Sequence, residues 1–142
     1  MDAASHLILG AQPGTGPSQD SPDFAPALRQ AAALASFDTA LADAGYDAEH
    51  NHALCRTLGI GRSVIALNRR NSGDRPPKTP CRRALHDAFP ADLYAQRWQI
   101  ESAFSLHKRR LGSALTARND PSQARETLLR VITHNVAIVA AS

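Results

Sequence analysis

Four residues carry the chemistry that reads most directly from this chain: Tyr94, Arg97, Glu101 and Lys108, spaced three, four and seven apart. On a helix turning by about 100° per residue they lie within roughly 60° of Tyr94, so all four point the same way. One carboxylate then stands among two cations and a phenol. That set suits a phosphodiester held beside a metal ion, because cations take phosphate oxygens while a carboxylate keeps a hard cation in place.

A helix must hold that stripe. Leu93, Ile100, Phe104 and Leu111 fall on a narrow apolar face about 100° away from Tyr94, which would dock on a core and leave the polar stripe at its rim. The alternative is an ordinary amphipathic helix in which Arg97 and Glu101 form an i,i+4 pair, worth about 0.3 kcal/mol in that order.

Upstream, Leu7-Ile8-Leu9 reads as a strand, followed by a Gly/Pro-rich loop over residues 12–23. A helix over 24–35 and a buried strand over 37–42 come next. The strand ends at Asp43, just before the Gly45 turn. Asp47 is placed to cap a helix over 48–58 that Gly59 terminates, and residues 63–67 supply a third strand. Strand and helix alternate, so the expected fold is α/β with parallel pairing. An aspartate at the C-terminal end of such a strand stands where open α/β sheets gather ligand-binding groups. Asp43 is equally a turn residue that accepts backbone hydrogen bonds.

Residues 68–80 read as an exposed basic loop. A short helix over 82–89 ends at Pro90, and the long helix of the four-residue stripe comes after it and runs until Gly112. Asp120-Pro121-Ser122-Gln123 has the pattern of a helix start with Asp120 as the cap, opening a last helix to about residue 140.

Charge divides the chain. Arg29 is the single cation against seven acids in residues 1–54, net −6, whereas residues 55–142 carry 15 cations against six acids, net +9. The formal total of +3 hides this asymmetry, which points to a polyanionic partner for the second half. With 142 residues, 43% of them hydrophobic, the chain has one domain's worth of length and can bury a core. Cys55 and Cys81 have no metal-binding spacing and fit a reducing compartment. No export signal precedes the chain's first elements, and residues 131–141 are too short to span a bilayer. His50 and His52 are poorly spaced for joint ligation, and they, His86, His107 and His134 are assigned to structure or surface. Trp98 suits packing or stacking on a base. Gly10, Gly14 and Gly16 lack the Lys-Ser/Thr ending of a phosphate-binding loop.

The pattern Tyr-x2-Arg-x3-Glu-x6-Lys resembles the signature of a large group of bacterial insertion-sequence transposases of the DDE type. Leu41-Ala42-Asp43-Ala44-Gly45-Tyr46-Asp47 resembles the segment around that family's second catalytic aspartate, and His134-Asn135-Val136 its C-terminal helix. Together the matches run from His6 onward. The resemblance implies a ribonuclease-H-like core in which two aspartates and a late glutamate bind Mg2+ or Mn2+, and the ions activate water and then a DNA 3′ hydroxyl for in-line attack. Asp43 would be the second aspartate and Glu101 the glutamate, both catalytic and both metal ligands. Tyr94, Arg97 and Lys108 would grip DNA phosphates, with Arg109 and Arg110 extending that surface.

The same resemblance implies an α/β chain holding a partial ribonuclease-H-like core of about three strands with flanking helices, then C-terminal helices. Residues 1–67 would be the α/β segment with the second aspartate, 68–80 a basic loop, and 81–142 a helical segment with the glutamate that completes the same domain. The expected partners are DNA, as transposon ends and target, and a homodimer mate or a complementing N-terminal transposase fragment, with no membrane. The expected location is the bacterial cytoplasm, on the nucleoid when DNA-bound.

The chain also departs from that pattern. The family's first aspartate belongs on a strand upstream of Leu7-Ile8-Leu9, and Asp2 and Asp20 lie on other elements. The expectation is a truncated transposase that is inactive alone and leaves sheet edges and an apolar face uncovered. Two alternatives remain: a noncatalytic DNA-binding protein that modulates transposition, and a helical interaction module.

Overall fold

A computed structural model describes residues 1–13, 21–69, 75–112 and 115–141, without the side chains of Ser21, Phe104, Leu106, His107, Lys108, Arg110 and Leu111. The expectations for Gly14, Gly16, Asp20, part of the basic loop, and the side chains of Phe104, His107, Lys108, Arg110 and Leu111 lie outside the described residues. The chain divides into two compact units, Gln19–Gln96 and a second made of Met1–Ser18 with Arg97–Ser142.

In the unit Gln19–Gln96, a 3-10 turn Ser21–Asp23 leads into α1 (Phe24–Leu34). Then come β1 (Thr39–Ala42), a 3-10 turn Ala44–Tyr46, α2 (Glu49–Thr57) and β2 (Arg62–Ile65). The strands pair in parallel with Thr39 opposite Arg62 and Ala42 opposite Ile65. The Ala66 N–H continues the ladder to the Ala42 carbonyl at 3.1 Å. Parallel neighbours need a crossover, and α2 is that crossover. The buried residues described here are Ala42, Cys55, Ile60, Val64 and Ile65 together with the polar Asn51 and His52. Burial pushes the His52 imidazole toward its neutral form, and its Nδ1 lies 2.8 Å from the Ser63 hydroxyl.

Gly59 ends α2 as its sequence requires. Its φ of +76° is the left-handed conformation that glycine adopts without a Cβ penalty. There the Ile60 N–H reaches the Cys55 carbonyl at 2.9 Å and the Gly59 N–H the Arg56 carbonyl at 3.0 Å, and the buried Ile60 and Cys55 close the motif. The unit ends with α3 (Pro80–Asp87) and α4 (Ala91–Ala95).

The second unit holds α5 (Trp98–Leu111) and α6 (Asp120–Ala140). Gly112, at φ +85°, ends α5. Asn119 caps α6, accepting the Ser122 N–H at 2.9 Å, so the cap lies one residue before the expected Asp120. Glu126 accepts the amides of Thr116 and Ala117 and pairs with Arg130 at 2.7 Å, while Arg130 also donates to the Gly112 carbonyl. These bonds tie Gly112, Thr116 and Ala117 to α6. The Ala117 and Thr116 amides, with Arg130, bring the Glu126 carboxyl down to about 2.

Leu7-Ile8-Leu9 is not a strand. It is irregular chain in which the Ile8 backbone bonds go to a side chain: Asn135 of α6 accepts the Ile8 N–H at 2.9 Å and donates to the Ile8 carbonyl at 3.0 Å. One carboxamide, with both a donor and an acceptor, satisfies what a neighbouring strand would have satisfied. His134 beside it is buried and donates from Nε2 to the His6 carbonyl at 3.0 Å. The described residues therefore form a two-stranded parallel sheet flanked by helices, an α/β arrangement smaller than the three strands expected.

Candidate functional site

Asp43 comes directly after the last residue of β1 in extended conformation, φ −80° and ψ 177°, and its Oδ1 accepts the Gly45 N–H at 2.9 Å. The carboxylate thus caps the 3-10 turn that leads toward α2. Because the strands are parallel, this end of β1 lies beside the end of β2, where Ala66 makes the last ladder bond.

Asp47 does not cap α2; Ala48 takes that position without a side-chain bond. The Asp47 carboxylate is instead fully buried and held by the Arg82 guanidinium, Nε to Oδ1 at 2.7 Å and Nη2 to Oδ2 at 2.9 Å. The Asn68 N–H donates to its Oδ2 at 2.8 Å. A bidentate charged pair outcompetes a neutral capping amide for the same oxygens. Glu49 serves α3 in a similar way. Thr79, at the α3 cap, makes no capping bond, and the Glu49 carboxylate accepts the Cys81 N–H at 3.1 Å and the Arg82 N–H at 3.3 Å. Burial pushes the Glu49 carboxyl up, and the bonds from Cys81 and Arg82 outweigh it and bring it down to about 2.

Sequence reading missed the Asp47–Arg82 pair and the Glu49 cap. A signal for the second was present: a helix opening Thr-Pro-Cys-Arg has free first-turn amides that need an anion. A group whose carboxyl is lowered on folding stabilises the fold above its ordinary value of 4.5 and loses that contribution as pH falls to about 2. The urea midpoint should therefore drop across that window. Glu49→Gln should remove part of the drop, with the Glu126 contribution left in both proteins; an identical pH profile for the variant would contradict the cap.

The long helix of the four-residue stripe is broken. α4 ends at Ala95, residues 96–97 turn, and α5 begins at Trp98. Bonds of i,i+3 type bracket the break: the Gln96 N–H donates to the Leu93 carbonyl at 3.2 Å and the Ile100 N–H to the Arg97 carbonyl at 3.0 Å. The boundary between the two units falls between Gln96 and Arg97. Tyr94 thus belongs to one unit, where its ring meets the edge of Phe89 at 5.1 Å, and Arg97 and Glu101 belong to the other. Among the described side chains of α5 the buried one is Ala103, and Leu93 and Ile100 are half-buried in separate units.

Arg97 Nη2 pairs with Glu101 Oε1 at 2.8 Å, with the Glu101 side chain two-thirds exposed. Trp98 is exposed, and Arg109, also exposed, donates weakly to the Ser105 carbonyl. Asp43 and Glu101 are both carboxylates, the donor chemistry that Mg2+ and Mn2+ take. Among the described residues no group of three or more His, Cys, Asp or Glu is assembled to hold a metal ion.

The family model described as transposase DDE domain matches residues 1–136. The chain belongs to the DDE transposase family. No curated protein and no solved structure matches it. Membership gives the transposase a transposition-related function, DNA as the family's partner and divalent ions as its general cofactor. None of its described helices is long and apolar enough to cross a membrane.

Proposed function

We propose that this chain is part of an insertion-sequence transposase of bacterial type, with a ribonuclease-H-like core in which residues 1–67 and 81–142 belong to one domain joined by the basic loop 68–80. In this reading Asp43 is the second catalytic aspartate and Glu101 the glutamate, and both are ligands of Mg2+ or Mn2+. The bound ions would supply an activated water or 3′ hydroxyl for attack on a phosphodiester. Tyr94, Arg97, Lys108, Arg109 and Arg110 bind DNA phosphates. The observation that carries the reading is the family match over residues 1–136, and Asp43 at the end of a parallel strand supports it.

The resemblance assigns two of the family's three carboxylates to this chain, so alone it binds DNA without strand transfer and acts with a homodimer mate or a complementing N-terminal fragment, in the cytoplasm and at the nucleoid. The same count favours a second reading, a noncatalytic modulator of transposition.

Duplex binding as a function of salt tests the proposal. Affinity should fall steeply with salt, and Lys108→Ala and Arg109→Ala should each lower the slope of log K against log salt by about 0.9. A chain that does not bind DNA at low salt overturns both readings.

A further inference from the structure

The buried Asp47 carboxylate does something its family assignment does not require: it holds both ends of the basic loop. Asn68, at the start, donates its N–H to Oδ2, and Arg82, beyond the end, grips both oxygens. Glu49 adds a second anchor at the Cys81 and Arg82 amides. The base of the loop is thereby tied to the segment that carries Asp43. Ala66 pairs with the end of β1, and Arg69 comes three residues later, at most roughly 10 Å of extended chain away.

Three cations of this loop have no partner among the described residues. Residues 69–83 contain six Lys or Arg against one acid, Asp74. Arg82 is taken by Asp47 and Arg83 by Asp87. Arg69, Arg75 and Lys78 make no ion pair or side-chain hydrogen bond with the described residues, and Arg69 and Arg75 are exposed. Cations of an anchored loop that are unpaired among the described residues favour a polyanion whose charges repeat along a line, as phosphates do on a DNA strand.

We propose that Arg69, Arg75 and Lys78 form a second phosphate-contact strip, beside Asp43 and separate from the α5 cations, which Asp47 holds by clamping the loop at its base. The inference rests on the reading of the chain as a DNA-binding transposase and assigns the DNA backbone that passes Asp43 to this loop.

Equilibrium binding of the full 142-residue chain to a mixed-sequence duplex over a range of salt concentrations tests it. R69Q, R75Q and K78Q together should lower the slope of log K against log salt by up to about 2.7, and each single change by about 0.9. The three side chains have no partner among the described residues, so a far-UV circular dichroism spectrum like that of the unmodified chain is expected. An unchanged slope in the triple and single variants, with Arg109→Ala still lowering it, overturns this strip and leaves the proposed function standing. Absence of salt-dependent binding by the unmodified chain overturns both. A loss confined to duplex RNA overturns the assignment to DNA.

Discussion

Glu101→Gln, placed in a transposase that contains this chain together with the family's first aspartate, is expected to lose DNA cleavage by about 10³-fold or more while keeping its affinity for transposon ends. A divalent ion contributes several kcal/mol of charge stabilisation to phosphoryl transfer, and each 1.36 kcal/mol is about tenfold in rate. The amide of glutamine keeps the shape of the side chain and removes the charge that retains the ion. Asp43→Asn should behave alike, and its Oδ1 can still accept the Gly45 N–H, so the turn survives. Lys108→Ala should reverse the pattern, weakening end binding and sparing the chemical step. Cleavage and gel-shift assays on the same duplex separate the two, and full cleavage by the Glu101→Gln enzyme contradicts the metal assignment.

Asp47→Ala should cost about 3 kcal/mol of stability. Removing one partner of a buried ion pair leaves the other uncompensated, which typically costs about 3–5 kcal/mol. Arg82 is 27% exposed and recovers some hydration, which places the expected loss at the lower end. The Asn68 N–H loses its acceptor as well. Against a usual total of about 5–15 kcal/mol, such a change is large. Urea unfolding followed by far-UV circular dichroism reads it, and a double cycle with Arg82→Ala isolates the pair from the backbone bond. A loss below about 1 kcal/mol would mean that the pair is no better than a surface contact.

The local grammar of the chain was legible. The β1–α2–β2 unit announces itself by alternation, and Gly59 and Gly112 stop their helices at positive φ as the sequence reading requires. What escaped reading was decided by partners far away in sequence. Asp47 looks like a helix cap until Arg82, 35 residues on, takes its oxygens. Leu7-Ile8-Leu9 has the composition of a strand, yet Asn135 completes its hydrogen bonds. The helix expected to run unbroken to Gly112 yields after Ala95 to i,i+3 bonds that its heptad-like apolar spacing does not encode. Spacing and resemblance propose Asp43 and Glu101, whereas the loop clamp depends on partners 21 and 35 residues from Asp47 that no local pattern encodes.

The bond between Ile8 and Asn135 also sets a timetable. The two residues are 127 apart in sequence, so the segment around Ile8 waits for that whole span to be synthesised before its amide and carbonyl find their partner. Joining ends so distant has a loop-closure cost of about 4 kcal/mol if nothing between is ordered. The span Thr39–Ile65, by contrast, can close its parallel pair while the ribosome is still translating. Order therefore begins between Ile8 and Asn135, and each element that forms there shortens the effective loop still to be closed. A stop codon before Asn135 would release a protein in which the Ile8 amide and carbonyl lose their partner.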